Sequence, residues 1–548
     1  MTRILHIFTF SLLFVVISVP CALTQIISGE VYPSDEEIFE AYLRGDIDYQ
    51  AYLNLVEIFD DGIDSTELYL LDEIPGFDYF TNSYLKSFTE SESEQAAAFL
   101  SVSEVENEVK AKGYLKYRGW QKLEEDGERK DQYYINSSIA ADWNLTGRFE
   151  RDYQHIGRCT QRALAYRGKP GTLKKIVIGN YNARYGLGLT VGYRGRLFDK
   201  GEQSEDASWL FPVYGGFNGI YAEGGRKSDA VKWLIHYDQN SDYRIRATAL
   251  DLSRRFHKFQ LEGILLGAMV NNRITGVEYR HYQLGISAQY RVKNGRTALE
   301  LAFPQNARTL FPAALLESEY TEGPIRLRLS AWHYDKEFLN LIGGGRSGLQ
   351  YSDVAIDTIQ FIFNDRRHDQ QGLLFKINSD IGHNIATDFF CSIYGKDRYE
   401  RAARLTAGLE MQLSLQSRVR MEFRHYEENR PGELVFENQA RAEYRFHSDR
   451  ISLRSYLGYK LDKWNNEYLS CFTRVRVLLS SPGTTEIWLN LDKLNTRTGR
   501  IDYFYGYLRE AFRLMKYVEL AAKYSYRYSR SYTERVEATL FFEVKVEW

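Results

Sequence analysis

Cysteine and proline are scarce in this chain of 548 residues, which has four cysteines and ten prolines. The cysteines are Cys21, Cys159, Cys391 and Cys471, and no two of them form a CxxC pair or a metal-ligand spacing. Cys21 falls in a segment interpreted below as an export signal, which leaves three, so at most one bridge can form among them. A disulfide framework and a cysteine-held metal site are therefore excluded.

Long hydrophobic runs are also lacking. Residues 8–19 form the main apolar run, which is shorter than the roughly 20 residues that a membrane-spanning helix needs. Arg3 precedes this run and Ala22-Leu23-Thr24 follows it, so residues 1–24 are predicted to be a removable secretory signal. A lipoprotein signal at Cys21 is the less favoured alternative, because Pro20 fits a lipid-attachment site badly.

Aromatic residues and glycine are abundant, with 41 Tyr, 31 Phe, 8 Trp and 41 Gly. Aromatic side chains favour β-strands and are enriched at both interfaces of a membrane barrel. No segment after the signal has 18 consecutive apolar residues, so no transmembrane helix is expected. The composition therefore favours β-structure at a bilayer.

The charge of the chain changes sign near residue 108. Residues 25–108 hold 21 acidic residues against only Arg44 and Lys86, a net charge of −19. Residues 109–548 hold 67 basic and 52 acidic residues, a net charge of +15. We therefore predict an acidic N-terminal domain, residues 25–108, followed by a basic domain, residues 109–548, with the boundary in the polar stretch 89–108.

The acidic domain has the periodicity of short helices. Ser34 precedes an acidic first turn, and Ile38 and Leu43 share one face, which predicts a first helix over residues 35–44. Further helices are predicted over residues 48–59, 65–73 and 79–88, and the hairpin Ile74-Pro75-Gly76-Phe77 separates the last two.

This hairpin resembles a helix-hairpin-helix unit of the competence-protein type. The matching residues are Ile63, Asp64, Thr66, Glu67, Leu68, Leu71, Ile74, Pro75, Gly76 and Leu85. DNA-binding members of that family have a second glycine beside the phosphate, where this chain has Asp78. A domain of net charge −19 also lacks the cations that give DNA affinity. We therefore interpret the hairpin as a packing or protein-docking module, with direct DNA contact as the disfavoured alternative.

The basic domain repeats one pattern, apolar and polar residues in alternation. The apolar positions of three such runs are Tyr282, Leu284, Ile286, Ala288, Tyr290 and Val292; Leu405, Ala407, Leu409, Met411, Leu413 and Leu415; Val518, Leu520, Ala522, Tyr524, Tyr526 and Tyr528. Strands of about ten residues with one apolar face match the hydrocarbon layer of a membrane when tilted. The pattern predicts a large antiparallel transmembrane β-barrel of about 18–22 strands.

The chain ends in one of these strands. Its apolar positions are Leu540, Phe542, Val544, Val546 and Trp548. A barrel has no free edge, so its last strand must pair. A terminal aromatic residue on an alternating strand resembles the recognition signal of outer-membrane barrels, which implies the outer-membrane lipid and the barrel-assembly machinery as partners.

Residues 178–193 combine an apolar stripe with glycines. Alternation places Gly186, Gly188 and Gly192 on the inner face of a predicted strand and Tyr185, Leu187, Leu189, Val191 and Tyr193 on the other. A glycine stripe favours a sharp bend or close packing against the wall, with ligand contact as an alternative. With the acidic domain, the segment resembles Bacteroidetes-type outer-membrane proteins that carry an N-terminal helix-hairpin-helix.

No HExxH, GxSxG or CxxC motif is present, and the glycines of residues 343–348 lack the Lys-Ser/Thr of a phosphate loop. We predict no catalytic residue, cofactor or metal, and a protein that is not an enzyme. The predicted function is a channel, transport or surface-assembly barrel of the outer membrane. The acidic domain would lie in the periplasm, bound to a protein partner, or plug the barrel. A DNA-uptake component and a barrel enzyme with a site at the rim are the alternatives.

Overall fold

The computed structural model describes residues 112–548. Within that range the residues outside the description are 124–128, 141, 152–156, 169–172, 182, 193–216, 227, 240–242, 306–311, 337, 339–341, 344–354, 358–361, 365–368, 383, 397–399, 431–432, 449, 463–465, 480–482, 497, 516 and 531–533. The predicted signal, the acidic domain and the hairpin Ile74–Phe77 lie outside the described residues. No helix among the described residues is long and apolar enough to cross a membrane.

Twenty-four strands form one antiparallel sheet, and two short strands form a separate hairpin. The first half of the chain contributes β1 (Lys112–Lys122), β2 (Arg129–Ala140), β3 (Trp143–Arg151), β4 (Gly157–Arg167), β5 (Leu173–Tyr181), β6 (Phe217–Gly225), β7 (Asp229–Gln239), β8 (Tyr243–Phe256), β9 (Phe259–Asn272), β10 (Glu278–Val292), β11 (Gly295–Pro304), β12 (Ala313–Glu322), β13 (Ile325–Tyr334), and the short pair β14 (Ala355–Asp357) and β15 (Ile362–Asn364). The second half contributes β16 (Gln370–Ile381), β17 (Ile385–Lys396), β18 (Glu400–Gln412), β19 (Ser417–Arg430), β20 (Glu433–His447), β21 (Ile451–Asp462), β22 (Glu467–Leu479), β23 (Gly483–Asn495), β24 (Arg500–Met515), β25 (Val518–Arg530) and β26 (Glu534–Glu547).

The sheet closes on itself. Each strand of the ring pairs with the next along the chain, β13 pairs with β16, and β26 returns to pair with β1 from Tyr114 opposite Glu547 to Lys122 opposite Thr539. Gly113 and Trp548 exchange both backbone hydrogen bonds at the end of this seam. The last strand therefore closes a ring without a free edge, which is the β-barrel architecture that alternation predicts.

The predicted number of strands was wrong, because the ring has 24 strands rather than about 18–22. Some hairpin turns carry no glycine or proline that would separate two strands in the sequence. β8 and β9, for example, are joined only by His257 and Lys258, and His257 adopts a positive φ of 55°. A histidine in the left-handed region is uncommon, so the sequence gives no signal for this turn.

The outer face of the barrel is apolar. In β10, Tyr282, Leu284 and Ile286 are 50%, 42% and 47% exposed, whereas Gln283 and Ser287 are both 4% exposed and point inward. The same alternation leaves Met421 and Phe423 exposed on β19 and Phe542 and Val546 exposed on β26. An apolar exterior around a closed ring is the arrangement that hydrocarbon solvates well.

The two ends of the barrel differ in their connections. Every turn at the end where Lys112 and Trp548 lie has at most five residues, and we call this the short-turn end. The opposite end has the two longest connections, residues 182–216 and residues 335–369. Parts of both long connections fold into the barrel, as described next.

Candidate functional site

Residues 183–192, here called the inner segment, line the inside of the wall formed by β5 to β13. Their apolar side chains are almost fully buried and divide between two clusters. Tyr185 and Val191 pack with inward residues of β8 and β9, and Leu187 and Leu189 pack with those of β11 to β13. Each such side chain stabilises the packed arrangement by roughly 1.5–3 kcal/mol relative to an exposed one. The inner segment is therefore an anchored part of the wall.

The sequence predicts a polar inner face for every strand, but the wall covered by the inner segment is largely apolar on its inner face. On β8 and β9 seven inward side chains are apolar, as the outward ones are: Ile245, Ala247, Ala249, Ile264, Leu266, Ala268 and Val270. Phe338 and Ile342, from the connection after β13, add to the two clusters, and Gly192 donates its N–H to the carbonyl of Ile342. This part of the barrel thus has a hydrophobic core inside the ring.

A single carboxylate holds the backbone of the inner segment. Glu300, on the inner face of β11, has no exposed surface. One of its oxygens accepts the N–H groups of Leu187 and Leu189 at 2.7 and 3.2 Å, and the other accepts that of Thr190 at 2.8 Å. A typical hydrogen bond contributes about 0.5–1.5 kcal/mol, so the three together make Glu300 a principal anchor of the segment.

The glycines of the inner segment sit where the backbone approaches the wall. Gly186 has a φ of +59°, and a Cβ there would lie 2.9 Å from the Glu300 carboxylate and from Ser287. Gly188 has a φ of +87°. Both values lie in the left-handed region, which β-strands do not use. The predicted strand through Tyr193 was therefore wrong, because β5 ends at Tyr181 and the chain then turns inward.

An ion pair lies beneath the inner segment. Lys232 on β7 contacts Asp251 on β8 at 2.8 Å, and its ammonium group lies 5.5 Å from the centre of the Tyr185 ring. Gly186 donates its N–H to Glu262 on β9. The buried Asp251 and the half-buried Lys232 and Glu262 thus form a polar layer between the wall and the inner segment.

The opposite wall carries arginines in place of apolar residues. Arg418, Arg445, Arg454 and Arg474, here called the arginine belt, lie on β19 to β22 and stand directly opposite one another across the three strand pairs. The four strands therefore carry a row of guanidinium groups around the inside of the barrel.

Carboxylates and aromatic rings hold the arginines of this wall in place, both members of the belt and the neighbouring Arg441. Glu443 on β20 accepts hydrogen bonds from Arg441, Arg445 and Arg454, the last at 2.8 Å. The Arg441 guanidinium lies 3.8 Å from the centre of the Tyr456 ring, and Tyr456 stacks on Phe472 at 4.9 Å. Arg–aromatic stacking and bidentate pairing keep a guanidinium in a fixed orientation.

A second pair of carboxylates lies beside this group. Arg420 contacts Asp388 on β17 at 2.7 Å and Glu422 on its own strand at 2.9 Å. Across the barrel seam, Arg118 on β1 contacts Glu543 on β26 at 2.6 Å. Ion pairs inside the ring therefore join neighbouring strands as well as setting the charge of the lumen.

The sequence did not single out Glu300 or the arginine belt. A signal for Glu300 exists, since Ala298 and Ala302 flank it on the inward face of β11 and leave one carboxylate on an otherwise apolar surface. No comparable signal marks the belt, because its four arginines come from four strands and meet only through the strand register.

The described residues contain neither a disulfide nor a cluster of metal-ligating side chains. Cys159, Cys391 and Cys471 are free thiols, so no bridge forms among them. No group of three His, Cys, Asp or Glu in the described part of the chain could hold a metal ion. The contacts described above are hydrogen bonds, ion pairs and stacked rings.

No protein-family model matches the sequence, and no curated protein matches it. A chain of the E. coli P pilus tip assembly intermediate PapC-PapD-PapK-PapG shares 8% identity and a TM-score of 0.51, over 81% of this chain and 62% of that chain. The siderophore receptor PirA from Pseudomonas aeruginosa shares 7% identity and a TM-score of 0.43 over 81% of both chains. The P pilus usher (PapC) translocation pore shares 8% identity and a TM-score of 0.37, over 80% of this chain and 99% of that chain.

These structural neighbours are outer-membrane β-barrels. At such low identity the likeness concerns the fold alone, and the fold of the pilus assembly chain, with its TM-score of 0.51, agrees with the antiparallel ring described above. It does not extend to what those proteins bind or translocate.

Proposed function

We propose that this chain is an outer-membrane β-barrel that works as a channel, transport or surface-assembly component. The observation that carries the proposal is a closed ring of 24 strands with an apolar exterior and a lumen lined in large part by charged residues. Hydrocarbon excludes open sheet edges and accepts closed barrels, and a charged inner wall is suited to polar solutes.

The size of the ring supports this role. Barrels of about 16–18 strands leave an aqueous channel, and those of about 22 strands have a plugged lumen. A ring of 24 strands encloses a lumen at least as wide, which an outer membrane cannot leave fully open. The inner segment narrows this lumen at one wall. A second part of the protein is needed to fill the remaining width of the lumen.

The acidic domain, residues 25–108, is our candidate for that element. Short turns face the periplasm in bacterial barrels, and β1 begins at the short-turn end. The domain therefore lies on the periplasmic side of the barrel or inside it in this proposal. Its net charge of −19 against a basic barrel favours docking between the two parts.

Conductance in planar lipid bilayers tests the proposal with the full chain and with a variant that lacks residues 25–108. We expect the shortened variant to form stable open channels and the full chain to conduct several-fold less, because the acidic domain occupies part of the lumen. A shortened variant that is folded and inserted but does not conduct would contradict a transport role. Equal conductance of the two proteins would contradict only the hypothesis that the acidic domain plugs the lumen.

A further inference from the structure

An open groove lies on the outer face of the wall formed by β7 to β11. Its volume is about 660 Å³, within the range of roughly 300–1,000 Å³ that small-molecule sites occupy. Its centre lies at Thr248 and Gly267, two small residues that stand opposite each other on β8 and β9. Large apolar side chains surround these two residues: Trp233, Leu250, Leu265, Tyr282, Leu284 and Phe303. The groove is therefore an apolar cleft that opens toward the surrounding hydrocarbon.

The surface of the groove leaves room for another molecule and asks for no polar partner. A Cβ at Gly267 would lie 3.5 Å from the Tyr282 ring, an ordinary contact, so crowding does not require a glycine there. The Trp233 indole donates to the Thr248 hydroxyl at 3.3 Å, and that hydroxyl donates to the carbonyl of Leu234 at 3.0 Å. A glycine inside a strand often marks a place where a ligand approaches closely. The groove therefore suits a flexible apolar chain.

Two arginines stand at one end of the groove. The strand register places Arg246, Met269 and Arg280 side by side on β8, β9 and β10, one outward position farther from the short-turn end than Thr248 and Gly267. Both arginines are exposed. They are two strand spacings apart, about 10 Å at 4.8 Å per strand, so both side chains can reach a group held between them.

The contacts of these arginines hold them in place and leave them able to bind an anion. The Arg246 guanidinium lies 5.7 Å from the centre of the Tyr237 ring, and Arg280 donates its Nε–H to Glu278 at 2.6 Å. A guanidinium has five N–H donors, and Arg280 uses one of them on Glu278. Phosphate is the anion whose geometry the guanidinium fork matches in two-point hydrogen bonding.

The two arginines lie where the apolar band of the wall ends. The outward positions of β9 carry no polar side chain from Phe259 to Met269, and Asn271 follows. These ten steps cover about 33 Å along the strand, or about 23 Å of height at a tilt of about 45°. The apolar band of a membrane barrel is about 25 Å tall. The groove therefore lies in hydrocarbon, and the arginines lie at the level of the lipid headgroups.

We propose that this groove binds a phosphorylated acyl lipid, with an acyl chain along Gly267 and a phosphate between Arg246 and Arg280. The arginine end points away from the short turns, so in the orientation proposed above it lies in the outer leaflet. The phosphorylated acyl lipid of that leaflet is lipid A, and we assign the groove to it. The inference rests on the proposed function for the membrane and for this orientation.

Native mass spectrometry of the full chain, purified in detergent and titrated with lipid A, tests the headgroup contact. We expect the parent protein to retain one lipid A, with an affinity at least tenfold higher than for lipid A stripped of its phosphates. The double variant Arg246→Gln with Arg280→Gln should bind intact lipid A at least tenfold more weakly than the parent. It should bind the stripped lipid as the parent does, because the lost contact is to phosphate.

The variant Gly267→Leu tests the acyl-chain contact, since a leucine side chain there fills the groove. It should bind both lipids at least tenfold more weakly than the parent. The matched control is Gly263→Leu, at an outward position of the same strand where a Cβ would have no neighbour within 4 Å. Arg254→Gln, at an outward arginine near the short-turn end of β8, is the control for charge. Both controls should keep the affinity for lipid A within twofold of the parent.

Three results would overturn the proposal. The first is an affinity for lipid A that is unchanged in the arginine variant or in Gly267→Leu. The second is a loss of affinity in the two controls as large as in those variants. The third is equal retention of phosphatidylglycerol and lipid A by the parent, which would assign the groove to ordinary anionic phospholipid.

Conductance separates this inference from the proposed function. The groove lies on the outside of the ring, so Gly267→Leu should conduct as the parent does in planar bilayers. A barrel that conducts but retains no lipid A would overturn the lipid site alone. A barrel that retains lipid A but does not conduct would support the site and contradict only the transport role.

Discussion

At the scale of single residues, Glu300 decides how the inside of the barrel is built. Its two oxygens accept three backbone N–H groups of the inner segment, those of Leu187, Leu189 and Thr190. Glu300 is fully buried, so its oxygens are satisfied by these N–H groups rather than by water.

Replacement of Glu300 by Ala should release the inner segment while the ring stays closed. Three N–H groups would lose their acceptor at a cost of about 1–3 kcal/mol each, and Glu300→Gln should cost less because one oxygen remains. Hydrogen exchange of the Leu187, Leu189 and Thr190 amides measures the effect, with at least a tenfold acceleration expected for the Ala variant. Glu150→Ala, at a buried carboxylate of β3, should leave these amides unchanged.

At the scale of elements, the seam between β1 and β26 turns a sheet into a ring. Gly113 and Trp548 exchange both hydrogen bonds, so the pairs two residues along also exchange bonds and those between them do not. Lys116 and Lys545 form one of the pairs that exchange none. Their Cα atoms are expected about 4.5 Å apart, within the range that a disulfide spans.

A disulfide between positions 116 and 545 should therefore join the first strand to the last. In a variant with Lys116→Cys, Lys545→Cys and serine at 159, 391 and 471, we expect most of the chain to run as a cyclised species on a boiled, non-reducing gel. Reductant should restore the linear position. Lys116→Cys with Glu519→Cys is the control, since Glu519 lies one strand further away, on β25. Cross-linking of both pairs alike would argue against the register of the seam.

At the scale of the whole molecule, the distribution of apolar surface is inverted relative to that of a water-soluble protein. Large apolar side chains remain exposed around the outside of the ring, including Leu265, Leu284 and Ile393. Ionisable side chains such as Lys116, Glu300 and Glu443 are buried inside it. A protein built in this way needs a solvent of hydrocarbon around it and polar partners within it.

We therefore expect the mature protein to require detergent for extraction from membranes. Without boiling, it should migrate on a gel at a position different from that of the boiled chain, because a closed barrel resists unfolding by detergent. The measurement is a fractionation followed by gels of heated and unheated samples. Recovery of the folded protein in the soluble fraction would contradict a location in the membrane.

The sequence by itself determined the class of fold and the direction in which the strands face. Alternation in runs such as residues 282–292 predicts one apolar face, and the ring places that face outward. The terminal run 540–548 predicts a final strand that pairs, and β26 pairs with β1. These features are local, with a period of two residues, so the sequence shows them without knowledge of distant neighbours.

Tertiary structure alone decided the number of strands, the path of residues 183–192 and the composition of the lumen. The alternation of that segment favours a strand, yet Glu300 lies more than a hundred residues away and binds its backbone into turns. The arginine belt likewise exists only because the register aligns four separate strands. Contacts between residues far apart in sequence are set by the closure of the ring, so they cannot be predicted from a local pattern of residues.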